Sequence, residues 1–249
     1  MIELNAISAG YGKNTVLKNV SATFEKGALT GIIGANGCGK STLLKTMLGM
    51  LPCSGDILVD GHNLADMHRK EIARKLAYLS QGKSTPDMTV EQLVLHGRFP
   101  HLNYPRRYTR KDEDIAFSAM ERMGISDFAE SPLPNLSGGM RQNAYIAMAL
   151  AQDTDYILLD EPATYLDISH QLALMQTLRK LADDGKGIVA VMHDLPMAFT
   201  YSDRILVLDE GQIIASGTPR EICQTPYIKK VFGVHLEPSA DGQHYQYRY

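Results

Sequence analysis

The sequence predicts an α/β fold built on a parallel sheet, with an N-terminal antiparallel β subdomain and an inserted α-helical subdomain. Three observations carry that prediction. A compact apolar run, Leu29 to Ile33, is followed at once by a glycine-rich loop and a helical stretch from Lys40 to about Met50. Later, the aliphatic runs Tyr156 to Leu159, Gly187 to Met192 and Arg204 to Leu208 are separated by helical segments, the pattern of a parallel sheet. Between the two regions lies a block whose apolar residues recur at helical spacing.

Taken in order, Ile2 to Ile7 alternates apolar and polar residues, and apolar positions resume at Val16, Val20 and Phe24, with Gly10, Gly12 and Gly27 as punctuation. Short strands are expected there. Ser54 to Val59 and Lys75 to Leu79 read as further strands, with a turn at Gly61 between them. Thr89 to His96, Lys111 to Met123 and Met140 to Ala151 read as helices, and the intervening Phe99 to Arg107 is rich in Pro, Arg and aromatics. The expected division is 1–81 and 152–232 for a core with its β subdomain, 82–151 for the helical insert, and 233–249 for a tail, polar and Tyr-rich from Pro238 onward.

At 249 residues the chain is long enough for one core plus an inserted subdomain. Its 25 Lys+Arg against 28 Asp+Glu leave a net charge of −3, which argues against a general nucleic-acid binder. No apolar run approaches the roughly 18–20 residues of a membrane span, and the first residues carry neither the basic nor the apolar segment of a secretory leader, so a cytoplasmic chain is expected. Cys38, Cys53 and Cys223 lack metal-ligand spacing and form an odd set, which indicates neither a zinc site nor a disulfide framework.

Gly34-Ala35-Asn36-Gly37-Cys38-Gly39-Lys40-Ser41-Thr42 fits G-x-x-x-x-G-K-[ST] in the strand-before, helix-after context that a phosphate loop requires. The glycines let backbone N–H groups turn inward around phosphate oxygens. The following helix presents its positive end, Lys40 neutralises β and γ phosphates, and Ser41 offers a hydroxyl to Mg²⁺. Cys38, beside Lys40 and a helix N-terminus, is expected to be the most reactive of the three thiols if solvent reaches it; free cysteine is otherwise commonly buried.

A second element is Tyr156-Ile157-Leu158-Leu159-Asp160-Glu161, four apolar residues ending in two acids at the edge where open α/β sheets bind ligands. Asp160 is expected to hold Mg²⁺ directly or through water, and Glu161 to orient or deprotonate the attacking water. Hydrolysis, and not binding alone, is implied.

Leu136-Ser137-Gly138-Gly139, opening the helix that runs into the acidic strand, resembles the signature of ATP-binding cassette (ABC) ATPases. The resemblance extends from about Ile2 to Phe232 and implies a head-to-tail homodimer that binds ATP with Mg²⁺. In it, the Ser137-Gly138-Gly139 turn of one subunit contacts, through Ser137 and Gly139, the γ-phosphate held by Lys40 of the other. It further implies that Tyr11 stacks on adenine, that Gln81 senses Mg²⁺ and the attacking water, that Tyr165-Leu166-Asp167 forms the D-loop with Asp167 at the nucleotide, and that His193 contacts the γ-phosphate. The chain departs from the family pattern at Ala35 (often Pro), Met140 (usually Gln) and Asn143 (commonly Arg). Because Met cannot hydrogen-bond as Gln does, a polar contact is expected to be missing and coupling to be weaker.

The run Asp160 to Gln171, together with Thr89 to Val94, Gly97 to His101 and Ile146 to Gln152, is similar to ATPases that drive import of iron-siderophore, haem and cobalamin complexes. That likeness implies docking on membrane permease subunits through the insert near Phe99, with Arg98, Arg106 and Arg107 alongside. It also implies an indirect link to a substrate-binding protein and a place on the cytoplasmic face of the cell membrane. Two other classes stay open: a cassette ATPase without a permease, serving iron-sulfur assembly or nucleic-acid transactions, and a non-hydrolytic regulatory cassette, against which Glu161 and His193 argue.

Overall fold

The computed structural model describes residues 1–82, 85–164, 166–240, 242 and 244–248. The alternating N-terminal residues form the antiparallel hairpin of β1 (Ile2–Tyr11) and β2 (Asn14–Phe24), which turns Ile2, Leu4, Ile7, Leu17 and Phe24 inward. β3 (Leu29–Ile33) is buried at all five positions and feeds the glycine-rich loop and α1 (Lys40–Met47). The helix stops short of Met50 because Gly49 takes a φ of 66°, a left-handed conformation that breaks the turn. β4 (Cys53–Val59) and the two-residue β5 (His62–Asn63) complete a four-stranded antiparallel sheet of order β2-β1-β4-β5. α2 (Arg69–Lys75) follows, and it claims Lys75, so that β6 (Leu76–Leu79) begins one residue later than expected.

The insert packs α3 (Val90–His96), α4 (Arg110–Arg122) and α5 (Gly138–Ala151) against one another. The chain then returns through β7 (Tyr156–Asp160), α6 (Ile168–Asp183), β8 (Gly187–Val191), α7 (Leu195–Tyr201) and β9 (Arg204–Asp209). β10 (Gln212–Gly217), α8 (Pro219–Cys223), α9 (Tyr227–Phe232), β11 (His235–Pro238) and β12 (Tyr245–Arg248) close it. The central sheet has the order β10-β9-β3-β8-β7-β6, parallel except where β10 pairs β9.

Short strands with no polar face can be satisfied only between two apolar layers. Leu158, Val189, Val191 and Leu206 face the antiparallel sheet and α1, while Ile157, Leu159, Ile188 and Ala190 face α6 and the insert. Each such Leu or Ile contributes about 1.5–3 kcal/mol on full burial. This packing fixes the C-terminal ends of β3, β7 and β8 side by side. The tail, polar and Tyr-rich in sequence, carries the hairpin β11–β12, seated on α7 by an edge-on contact of Phe199 with Tyr245, ring centroids 5.3 Å apart.

Candidate nucleotide site

The loop after β3 has little room for side chains. A β-carbon on Gly34 would stand 2.1 Å from Leu208 O of β9, and Gly37 and Gly39 take φ of 79° and 113°. Only glycine gives the loop this course. Lys40 Nζ, at the start of α1, donates to Gly34 O at 2.8 Å and Ala35 O at 2.9 Å, so the ammonium lies over the loop it follows. Asn36, Gly37, Lys40, Ser41 and Thr42 share the lining of a cleft of about 610 Å³ with Gln81, Glu161 and His193.

The two acids after β7 have different surroundings. Asp160 is buried; its Oδ1 accepts from Ser41 Oγ at 3.0 Å and its Oδ2 from Tyr78 Oη at 3.3 Å. Burial raises its carboxyl above the ordinary value, and these two hydrogen bonds oppose the rise. Glu161 has a φ of 53°, unusual for a residue with a β-carbon. Its Oε2 accepts from Gln81 Nε2 at 2.5 Å and from Thr164 Oγ1 at 3.2 Å, and its Oε1 lies 2.5 Å from His193 Nε2. Residues far apart in sequence thus meet at one carboxylate because β6, β7 and β8 are neighbours.

Ser137 caps α5, its Oγ accepting from Met140 N at 3.3 Å. Gly138 lines an adjoining cavity of about 370 Å³, with Gln81 and Glu161 on the border of both. The start of α5 and the start of α1 therefore face different cavities of the same chain. Asp167 caps α6 and accepts from His170 N at 2.9 Å. Tyr165 lies outside the described residues.

Residues 17–164 match the sequence profile of the ABC transporter family. The chain belongs to the ABC transporter family. This ABC ATPase is 43% identical over 231 residues to the ferric enterobactin transport ATP-binding protein FepC of Escherichia coli strain K12, covering 92% of this chain and 85% of that one. It is 41% identical over 243 residues to the petrobactin import ATP-binding protein FpuD of Bacillus anthracis, covering 96% and 89%. A solved ABC transporter in an inward-facing conformation superposes with a TM-score of 0.84 at 25% identity, over 100% of this chain and 97% of that one. Among its described residues, no helix of this ABC ATPase is long and apolar enough to cross a membrane.

Two expectations need correction. Cys38 is buried, and burial pushes its thiol up despite the opposing charge and backbone N–H of Lys40, so the local cues for a thiolate lose to desolvation. Arg98 is 5% exposed and is not free for a partner. It pairs with Asp112 Oδ1 at 3.0 Å and donates to Ala151 O at 2.8 Å, tying α4 to the end of α5. Tyr11 stands exposed at the tip of β1, paired with Asn14, and Val16 of β2 lines the cleft. The β2 alternation already marked Val16 as apolar, but its place beside Gly39 of the phosphate loop appears only in three dimensions.

Phe99 is half exposed, 49%, with the Arg106 guanidinium 4.6 Å from its ring centroid, and Tyr104, five residues on, is 96% exposed. Of the departures from the family pattern, Asn143 Nδ2 donates to Met123 O at 3.1 Å at the end of α4, and Met140 packs half-buried against the core. Both serve the packing of the insert. Gln142 supplies a polar link, donating to Pro162 O at 2.7 Å.

Proposed function

We propose that this ABC ATPase powers import of an iron-siderophore or a related metal chelate, as a homodimer docked on membrane permease subunits at the cytoplasmic face of the membrane. The observation that carries the reading is the placement of two phosphate-type sites: Lys40 lines one cavity and Gly138, next to Ser137, lines the adjoining one, so the phosphate loop and the start of α5 do not converge on a single cleft of this chain. A second copy supplies the missing half. The names of the two relatives, one a ferric enterobactin and one a petrobactin transporter subunit, support the cargo class.

The chain's own groups divide the chemistry. Lys40 and the loop amides bind the β and γ phosphates, and the start of α5 from the partner closes over the γ-phosphate. Ser41, Asp160 and Gln81 offer a hydroxyl, a carboxylate and an amide oxygen, a hard-oxygen set suited to Mg²⁺, and a buried carboxylate with a raised proton affinity is one that a cation would relieve. Mg²⁺ held there would supply charge neutralisation between phosphate oxygens. Glu161 takes the proton of the attacking water on a carboxylate oxygen, with His193 Nε2 and Gln81 Nε2 orienting that group.

α5 joins this chemistry to the docking surface. Ser137 sits at its start, while at its end Ala151 O and Gln152 O accept from Arg98 and contact His101, on either side of Phe99. Fourteen residues of helix span about 20 Å. Closure at the phosphate end therefore moves the platform at the other end, and the cycle of closing and reopening drives the permease between its states.

Two experiments test the reading. Mixing a Lys40→Ala chain with a Ser137→Arg chain, each inactive alone, should restore hydrolysis, up to about half of wild type per heterodimer if sites act independently. A strain deleted for this chain should lose ATP-dependent uptake of a ferric siderophore or another metal chelate, and Glu161→Gln should not restore it. Unchanged uptake of every metal chelate tried would overturn the cargo assignment.

A further inference from the structure

Gly139 lies buried in the first turn of α5, and the direction in which a side chain would leave it is filled by His170 of α6. A β-carbon there would stand 2.4 Å from Cδ2, 2.8 Å from Nε2 and 2.9 Å from Cγ of the imidazole. Gly138, one residue earlier, would meet nothing within 4 Å. Gly139 is helical, so what demands glycine at this position is a neighbouring side chain and not a left-handed backbone.

The imidazole cannot swing aside without loss. Its Nδ1 lies 2.8 Å from both carboxylate oxygens of Asp167, and Asp167 Oδ1 also accepts from His170 N at 2.9 Å and Ser169 Oγ at 2.7 Å. The connection between β7 and α6 is braced from both helices. Gln142 of α5 donates to Pro162 O at 2.7 Å, and Gln171 of α6 donates to Ala163 O at 3.2 Å and Leu166 O at 3.0 Å. The imidazole is the spacer between these braced parts, its Nδ1 on the Asp167 carboxylate and its Cδ2 and Nε2 in the space that a β-carbon of Gly139 would need.

We propose that His170 is a positioning residue that sets the distance between the start of α5 and the capping carboxylate of α6, so that Ser137 and Asp167 meet a partner subunit as one rigid unit. The proposal rests on the shared-site reading above. Two helix N-termini that must engage one partner surface together lose registry if either settles by a few tenths of an ångström. A ring clamped between a carboxylate and a glycine prevents that settling, where a flexible side chain would not.

The test uses full-length chains in a Glu161→Gln background and reads the ATP concentration that half-dimerises them, by light scattering. The affinity of each monomer for a fluorescent ATP analogue is measured beside it. Gly139→Ala should raise the half-dimerising concentration at least about tenfold with the monomer affinity unchanged, and adding His170→Ala should bring it back to within about threefold of His170→Ala alone. His170→Asn, which keeps a donor for Asp167 and removes the ring from Gly139, should rescue Gly139→Ala as well, whereas His170→Phe, which keeps the ring, should not. An equal loss in Gly139→Ala with and without His170→Ala, in a parent that does dimerise, overturns the role of His170 and leaves the shared site standing. A parent that stays monomeric in ATP overturns the shared site, and this proposal with it.

Discussion

His193 Nε2 lies 2.5 Å from Glu161 Oε1, joining the ends of the adjacent parallel strands β8 and β7 at one carboxylate. Gln81 engages the other oxygen at the same distance. Only the ionised carboxylate of Glu161 can take a proton from water, and an amide in its place cannot. Glu161→Gln should therefore bind ATP normally and hydrolyse it at least about 10²-fold more slowly, the usual size of a general-base contribution. Phosphate release at saturating ATP measures it, and a near-normal rate would sink the assignment.

Asp160 is held in a place that costs stability. Because burial raises its folded-state pKa above the unfolded value, the penalty is absent below the unfolded pKa, near 3.9, and complete once the pH exceeds the folded value. Asp160→Asn should raise the melting temperature at pH 7.5 by a few degrees, with the gain shrinking toward pH 4. In the same variant Mg²⁺ should no longer add to the stabilisation that ATP gives. A lower melting temperature at neutral pH would contradict this reading.

Arg98 and Asp112 are both buried, and Asp112 is held below the usual carboxylate range: burial opposes this, but the Thr109 N–H and hydroxyl and the Arg98 guanidinium outweigh it. Removing Arg98 leaves that charge without its counter-ion. Arg98→Ala should cost about 3–5 kcal/mol in urea unfolding, and replacing Asp112 as well should recover a large part of it. A loss under about 1 kcal/mol would mean that the pair carries no such burden.

Thiol chemistry offers a fourth check. Cys53 is exposed and Cys38 buried, while Cys223 donates to Leu236 O at 3.0 Å. Maleimide should label Cys53 first, with Cys38 at least about tenfold slower under native conditions. Peptide mass spectrometry would decide, and equal rates for the two would refute the burial argument.

What could be read from the residues alone follows a physical pattern. The phosphate loop and the acidic pair after β7 were legible because their chemistry is contiguous: glycines, lysine and hydroxyl within nine positions, acids directly after an apolar strand. Arg98 misled because arginine is rarely buried and its partner lies on another helix, fourteen residues on. Cys38 misled because helix dipole and lysine are local, whereas desolvation comes from Leu208 and its neighbours far along the chain. The contact between His170 and Gly139 leaves no local trace at all, since it exists only once α5 and α6 are packed.

The left-handed backbone at Glu161 has a consequence for heredity. Strain of this kind amounts to about 1–3 kcal/mol, and glycine at this position would carry almost none of it. The codons for glutamate and glycine differ by a single base in the second position. The gene therefore sits one transition away from a chain with a relaxed backbone at this point and no proton acceptor in the nucleotide cleft.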